Sequence, residues 1–382
     1  MTSSFTIDHA PGANDHAPRG PEVVADGGYI LETEAADGRD RGRREHEVGR
    51  EPGFEGVTPA GLPTKENAMA SIDKPGIYTM REDAYHADPC PAPSVSSSIA
   101  RTLLGKTPRH AWTEHARLNR AFTPETRQEF DLGSASHSYM LGDDRRMRVI
   151  QADSYRTNAA KAARDAAYEA GEIPIRTDQL TEVQAMVAEG RRQIAAHREA
   201  AYLFGPTGKA EQTVIWQEKN GVWCRARLDW LQNDHELVAD YKSTGESANP
   251  ETWQRTAYNM LLDVQAAWYR RGVKAVTGKL PRFQFAVQEV KPPYALSVIE
   301  LTPAALDMAE ERVEEAIDLW GKCLAADRWP GYPAVVCHID PPGYEVARHE
   351  ERKGRAHIAR MTYGKDILDL ANDWQRPHGA AQ

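Results

Sequence analysis

Apolar residues recur along this chain in two rhythms, and the switch between them marks where helices give way to strands. From Asp178 to Leu203, Leu180, Val183, Val187 and Ile194 return at helical spacing. That spacing predicts a helix with one face on a core and Arg191, Arg192 and Glu199 in water. The same rhythm predicts three earlier helices. One starts near Ile99 with Ser94, Ser96, Ser97 and Ser98 as cap candidates, one runs from Pro124 to Leu141, and one from Asn158 to Ala170 stops at Gly171. From Glu211 the period falls to two. Glu211 to Gln217, Val222 to Trp230 and Glu236 to Tyr241, separated by turns at Lys219-Asn220-Gly221 and Gln232 to His235, predict a three-stranded meander. A long helix from Pro250 to Ala275, strands from Arg282 to Val290 and Tyr294 to Leu301, and a helix from Pro303 to Ala325 complete the pattern.

Helices, a meander, a helix and two further strands describe an α/β (α+β) domain, a central mixed sheet flanked by helices, over residues 73–340. Residues 1–72 are rich in Gly, Pro and charged residues without a persistent period, and are expected to form a disordered acidic extension. Residues 341–382 read as a charged tail, a flexible arm with a weak helical stretch from Ile367 to Trp374.

Composition narrows the functional classes. The net charge of −9 is unevenly spread: residues 1–70 hold 13 acidic and 7 basic side chains, or −6 of it, leaving −3 for the rest. A nearly balanced body can carry a local cationic groove, because phosphate binding depends on where Lys and Arg sit. No apolar run is long enough to cross a bilayer, so a soluble, cytoplasmic protein is expected. The four cysteines, Cys90, Cys224, Cys323 and Cys337, are too scattered for a disulfide framework, and they include neither a Cys-x-x-Cys pair for zinc nor the grouping that an iron-sulfur cluster needs.

The candidate chemistry lies in the meander. Period-two alternation puts Arg225, Arg227 and Asp229 on one face of the second strand, and Asp240 with Lys242 on one face of the third. The short turn between these strands lets Asp229 approach Asp240, bringing two carboxylates and an ammonium into one small volume. Their mutual repulsion is relieved by a divalent cation, and hard oxygen donors with a few waters suit Mg²⁺ or Mn²⁺. The competing reading is an exposed salt-bridged hairpin contributing at most ~1 kcal/mol. Arg225 and Arg227 clamp phosphate or pair with the acidic cluster, Ser243 and Thr244 bind phosphate or cap the turn, and Glu211 is an outer carboxylate or an ordinary edge charge.

Val238-Ala239-Asp240-Tyr241-Lys242-Ser243-Thr244, preceded by Arg227-Leu228-Asp229, resembles the paired motif of the PD-(D/E)xK nuclease superfamily. The match is closest to its exonuclease VIII (RecE) group of phage recombination nucleases. Lys74 to Tyr78, the Ser94 to Leu104 helix, Gly133-Ser134-Ala135-Ser136-His137, Gln265-Ala266-Ala267-Trp268-Tyr269, Lys291 to Tyr294 and Trp329 to Tyr332 follow in that group's order over residues 74–340. The resemblance implies a restriction-endonuclease-like core, Asp229 and Asp240 as metal ligands, Lys242 as the catalytic lysine and His137 as a further metal-site residue. It places Gln265 and Tyr269 near the DNA end or the lysine. It further implies Mg²⁺-dependent 5′-to-3′ digestion of one strand of linear double-stranded DNA, a ring-shaped homo-oligomer and a single-strand annealing protein as partner. A structure- or site-specific endonuclease on the same core, and a non-catalytic recombination adaptor, are the alternatives.

Overall fold

The computed structural model describes residues 71–122, 128–142 and 147–364. The expected disordered extension, except its last two residues, and the stretch from Ile367 to Trp374 lie outside them. All described residues fall within one unit, Lys65–Gln382.

The chain enters through β1 (Gly76–Thr79) and the short α1 (Glu82–His86), and a two-residue strand, β2 (Val95–Ser96), leads directly into α2 (Ser97–Gly105). Ser96 is the cap of α2, its hydroxyl accepting the Ile99 amide. Then come α3 (Pro108–Glu114), α4 (Gln128–Leu141), β3 (Met147–Ile150), α5 (Asn158–Glu169), β4 (Ile173–Arg176) and α6 (Thr177–Ala196). The meander is β5 (Gly208–Gln217), β6 (Trp223–Gln232) and β7 (Leu237–Thr244), followed by α7 (Pro250–Asn259), α8 (Leu262–Thr277), β8 (Arg282–Glu289), β9 (Leu296–Ile299), α9 (Pro303–Ala326) and α10 (Gly343–Tyr363). Helix starts follow local chemistry. Thr107, Asn249 and Thr302 each cap a helix whose first residue is proline, where the missing N–H costs nothing.

The main sheet runs β1-β5-β6-β7-β8-β9, with β2 also pairing β6, and β3 and β4 form a separate parallel pair. The meander is antiparallel, β7 and β8 are parallel, and α7 and α8 supply the crossover between them. Two cores result. On one face Val214, Trp216, Ala226, Leu228 and Phe285 pack with Leu262 and Trp268 of α8 and Val313 and Trp320 of α9. On the other, Trp230, Ala239 and Tyr241 pack with Ala135 and Met140 of α4 and Val183, Val187 and Ile194 of α6. This mixed sheet between helical layers is the fold class that the pattern predicts.

Three expectations change. The long helix from Pro250 is broken, because Leu261 adopts a left-handed backbone (φ 52°) and the Met260 carbonyl is held by the Arg101 guanidinium at 3.2 Å. Tyr258 therefore lies on a different helix from Gln265 and Tyr269. The helix expected to reach Leu203 ends at Ala196, and Arg191 on it donates to the Tyr139 and Met140 carbonyls at the end of α4 instead of pointing only to water. In the charged tail, Gly343–Tyr363 form a helix with most of its described side chains exposed, where no helix was expected before Ile367.

Candidate active site

β6 and β7 pair only at Trp230 with Ala239 and Leu231 with Val238. One step further along both strands the ladder ends and the strands separate, and there Asp229 and Asp240 stand opposite each other. β2 fills the space that opens beside β6, pairing Ser96 with Arg225. At the fork the Tyr241 amide donates to Asp229 Oδ2 at 2.8 Å. The fork thus serves two purposes: it releases a backbone donor that fixes one carboxylate, and it leaves room for a cavity beside the other.

Strict alternation along β6 holds up to Leu228 and then fails. Leu228 belongs to the core beneath α8, whereas Trp230, two residues on, belongs to the core beneath α6. The face reverses at Asp229. Directly across the register Glu211 is skipped by the β5–β6 ladder and takes a left-handed backbone, φ 56°, a conformation that costs about 1–3 kcal/mol for a residue with a side chain. The reversal turns Asp229 and Glu211 toward the same cavity.

That cavity, of about 440 Å³, is lined by Glu211, Asp229, Lys242, Ser243, His137 and Tyr269, with Ser97, Ser98 and Arg101 along another wall. His137 meets Asp229 Oδ2 through Nε2 at 3.0 Å and lies 3.7 Å from Glu211 through Nδ1. Gly133 sits one turn before it, where a Cβ would lie 3.6 Å from the Ser243 hydroxyl, and Ala135, two residues before it, is fully buried, so α4 approaches the sheet closely. Asp240 is fully buried: Lys242 contacts its Oδ2, and the Gln265 amide donates to Oδ1 at 2.8 Å. The same Gln265 nitrogen lies 3.1 Å from the Tyr269 hydroxyl oxygen. The Trp268 indole donates to the Arg225 carbonyl at 3.0 Å, which pins α8 to β6 beside the fork.

The electrostatics follow from this crowding. Burial raises the Asp240 carboxyl pKa, as does the Asp229 carboxylate, and Lys242 offsets only part of the rise. Burial also acts on Asp229, but His137, Lys242 and the Tyr241 amide outweigh it and hold that carboxyl below its ordinary range. Burial disfavours the His137 imidazolium, yet Asp229 and Glu211 prevail and raise it to about 9. Glu211 is pushed up by burial, although its ion pair with Arg227 opposes the shift.

Among the described residues no three Asp, Glu, His or Cys side chains already converge on one point. The donors nevertheless suit Mg²⁺, which takes one or two carboxylates and fills the remaining positions with water and substrate oxygens. Asp240 Oδ2 is buried and takes no hydrogen bond besides its contact with the Lys242 ammonium, so this oxygen already faces a cation.

The structure therefore brings together Asp229, Asp240, Lys242, His137, Glu211, Gln265, Tyr269 and Ser243. It separates two others. Arg225 is no phosphate clamp: its side chain is 5% exposed, pairs with Asp88 at 3.2 Å and donates to the Ser94 carbonyl at 2.7 Å. Thr244 caps its turn, its hydroxyl accepting the Glu246 amide. Arg227 lines the cavity but is held by Glu211 and the Met80 carbonyl. Sequence reasoning missed Asp88, which has a left-handed backbone (φ 62°) and gathers Ser94, His115 and Arg225, and it missed Arg101. Neither stands in a recognisable motif.

A forked antiparallel pair carrying Asp229 on one strand and Asp-x-Lys on the other, in a mixed sheet between helices, defines a PD-(D/E)xK-type core. The chain belongs to the PDDEXK-like domain of unknown function (DUF3799), which matches residues 96–339 and so contains every cavity residue from Ser97 to Tyr269. Among solved structures it is similar to a candidate exonuclease from Eubacterium rectale, at 14% identity and a TM-score of 0.44, covering 67% of this chain and 92% of that one. A phage-related exonuclease from Haemophilus somnus 129PT aligns at 12% identity and a TM-score of 0.25, covering 51% and 95%. Nothing among curated proteins matches the chain. Among the described residues no helix is long and apolar enough to cross a membrane.

Proposed function

We propose that this chain is a Mg²⁺-dependent exodeoxyribonuclease that digests one strand of linear double-stranded DNA from its 5′ end and leaves a 3′ single strand for annealing. The observation that carries the reading is the fork itself, which sets Asp229 against Asp240 with Lys242 on the same wall of an open cavity. The 5′ polarity, a ring-shaped homo-oligomer around the duplex and a single-strand annealing protein as partner rest on the resemblance to exonuclease VIII.

Asp229 and Asp240 would hold the cation, with His137 beside them. Bound there, Mg²⁺ or Mn²⁺ supplies Lewis-acid polarisation of the scissile phosphate and a lowered pKa for the attacking water. Lys242, in contact with Asp240, orients that water and offsets charge that builds on the phosphorane. Gln265 fixes the direction of Asp240 and, with its second N–H, the Tyr269 hydroxyl. That hydroxyl then has its own proton free to donate to a phosphate oxygen, and burial together with the nearby Asp240 carboxylate raises its pKa, so it stays protonated. His137 donates to Asp229 and holds it toward the cavity.

The test is digestion of linear duplex carrying separate 5′ and 3′ labels, with Mg²⁺ or EDTA, beside closed circular duplex and the Lys242→Ala protein. Release of the 5′ label alone, dependent on Mg²⁺ and lost in Lys242→Ala, is expected. Nicking of closed circles would replace the exonuclease reading with an endonuclease, and absence of cleavage with either metal would end the enzymatic one.

A further inference from the structure

One wall of the cavity has no part in the chemistry above. It is formed by the first turn of α2, where Ser97, Ser98 and Arg101 face the space that Lys242 and Asp229 line from the other side. The first amides of a helix have no intrahelical acceptor and carry its positive end. Here Ser96 satisfies the Ile99 amide, and the first turn contains no acidic residue to neutralise the rest.

Two further observations point to a ligand. Ser97 is 5% exposed, yet its hydroxyl is buried without a hydrogen-bond partner, an arrangement that is costly unless something completes it. Arg101 is the second. Of the three Lys and Arg side chains described as lining the cavity, Lys242 is paired with Asp240 and Arg227 with Glu211. Arg101 has no carboxylate partner among the described residues; one N–H goes to the Met260 carbonyl, and its Nε has no partner at all. A guanidinium with a donor to spare, an unsatisfied hydroxyl and the exposed Ser98, gathered at the positive end of a helix, share a single complement, a compact oxyanion.

We propose that the first turn of α2, with Ser97, Ser98 and Arg101, is a phosphate-binding subsite that grips a phosphate of the DNA strand other than the one being cleaved. This rests on the nuclease reading for the identity of the ligand. The bound phosphate is either the terminal monoester of the strand or an internal diester, and both present the same oxygens to this wall. Its role is to hold the strand in register while the scissile phosphate lies at the carboxylates.

Binding measured without catalysis tests it. Fluorescently labelled duplexes with a 5′-phosphate or a 5′-hydroxyl are titrated in EDTA over a range of salt, with wild type, Ser97→Ala and Arg101→Gln, and with inorganic phosphate as competitor. Arg101→Gln should weaken binding about tenfold and reduce the slope of log affinity against log salt by about one. Ser97→Ala should weaken it several-fold while melting at or above the wild-type temperature, since it deletes an unsatisfied hydroxyl; it keeps the test sound even if Arg101→Gln folds poorly. Losses confined to the 5′-phosphorylated duplex assign the terminal monoester, and equal losses on both duplexes assign an internal phosphate. Wild-type affinity and slope in both variants would overturn the subsite. Because no cleavage is measured, failure of the nuclease assay and failure of this one are separate results.

Discussion

Replacing Arg225 by Met decides whether that guanidinium serves DNA or the fold. The side chain is 5% exposed and its partner Asp88 is 0% exposed. The guanidinium also holds the Ser94 carbonyl and hydroxyl at 2.7 and 2.5 Å and lies 5.4 Å from the Tyr85 ring centroid. Removing one partner of a buried ion pair costs about 3–5 kcal/mol, because the other charge stays buried. Asp88 keeps His115 at 3.4 Å and Arg117 at 3.7 Å, so the lower end, about 3 kcal/mol, applies. At roughly 2–4 °C per kcal/mol for a domain of this size, the melting temperature should fall by roughly 6–12 °C. Circular dichroism melts give that number, and duplex titrations well below the transition give DNA affinity, which should be unchanged. Melting within about 2 °C of wild type together with a weaker, less salt-sensitive affinity for DNA would refute the reasoning. The pair also has a pH signature. Burial pushes the Asp88 carboxyl up, but His115, Arg225 and Ser94 outweigh it, so its folded pKa is depressed. Its stabilisation is therefore present above the unfolded value of about 4 and is lost as pH falls through the lower folded value. Asp88→Asn should flatten that part of the acid-unfolding curve.

Other expectations bear on the site and its scaffold. Gln265→Leu leaves Asp240 without its Oδ1 donor and should lower Mg²⁺ affinity or turnover by about 10–100-fold; values within twofold of wild type would show that Asp240 needs no such support. With His137 raised to about 9 in the metal-free protein, its stabilising pairing is fully present below the unfolded value of about 6.5 and fades as pH rises through 9. Mg²⁺ should bind more tightly as pH rises over the same range and release protons, which calorimetry in buffers of different ionisation heat will register; binding without proton release contradicts the electrostatic picture. Gly272→Ala on α8 would place its Cβ 2.7 Å from the buried Trp216 ring, so despite the better helix former it should destabilise by about 1–3 kcal/mol in a denaturant titration, and an unchanged midpoint would mean that the ring yields freely.

The parts of this protein legible in its sequence are those governed by local rules. Capping residues marked the start of α2, hydrophobic period separated the helices from the meander, and alternation put Asp240 and Lys242 on one side of a strand. Asp229 was placed near Asp240 from turn length alone, and the structure puts it there through the register of β6 and β7. What escaped depends on partners far along the chain. Leu261 breaks a helix in a segment with no Pro or Gly, where a carbonyl is captured by Arg101, 159 residues earlier. Arg225 alternates with the correct face but is buried, because Asp88 waits behind β2, 137 positions away. The reversal at Glu211 and Asp229 is a cooperative property of two paired strands, which neither strand's pattern records. Family resemblance reached His137, Gln265 and Tyr269, which periodicity could place on helices but could not aim at a carboxylate.

Ser96 has two occupations at once: it is the register partner of Arg225 on β6 and the cap of α2. The tip of that helix is thereby soldered to the strand that bears Asp229 four residues further on, about 13 Å away at ~3.3 Å per residue. The interval works as a gauge block machined into the sheet. Adding or deleting one residue between Arg225 and Asp229 would shift the spacing by about 3 Å and turn every later side chain to the wrong face. Length variation should be tolerated in the turn at Lys219-Asn220-Gly221 and forbidden between Arg225 and Asp229, so the chain's freedom to drift in evolution ends where its measuring begins.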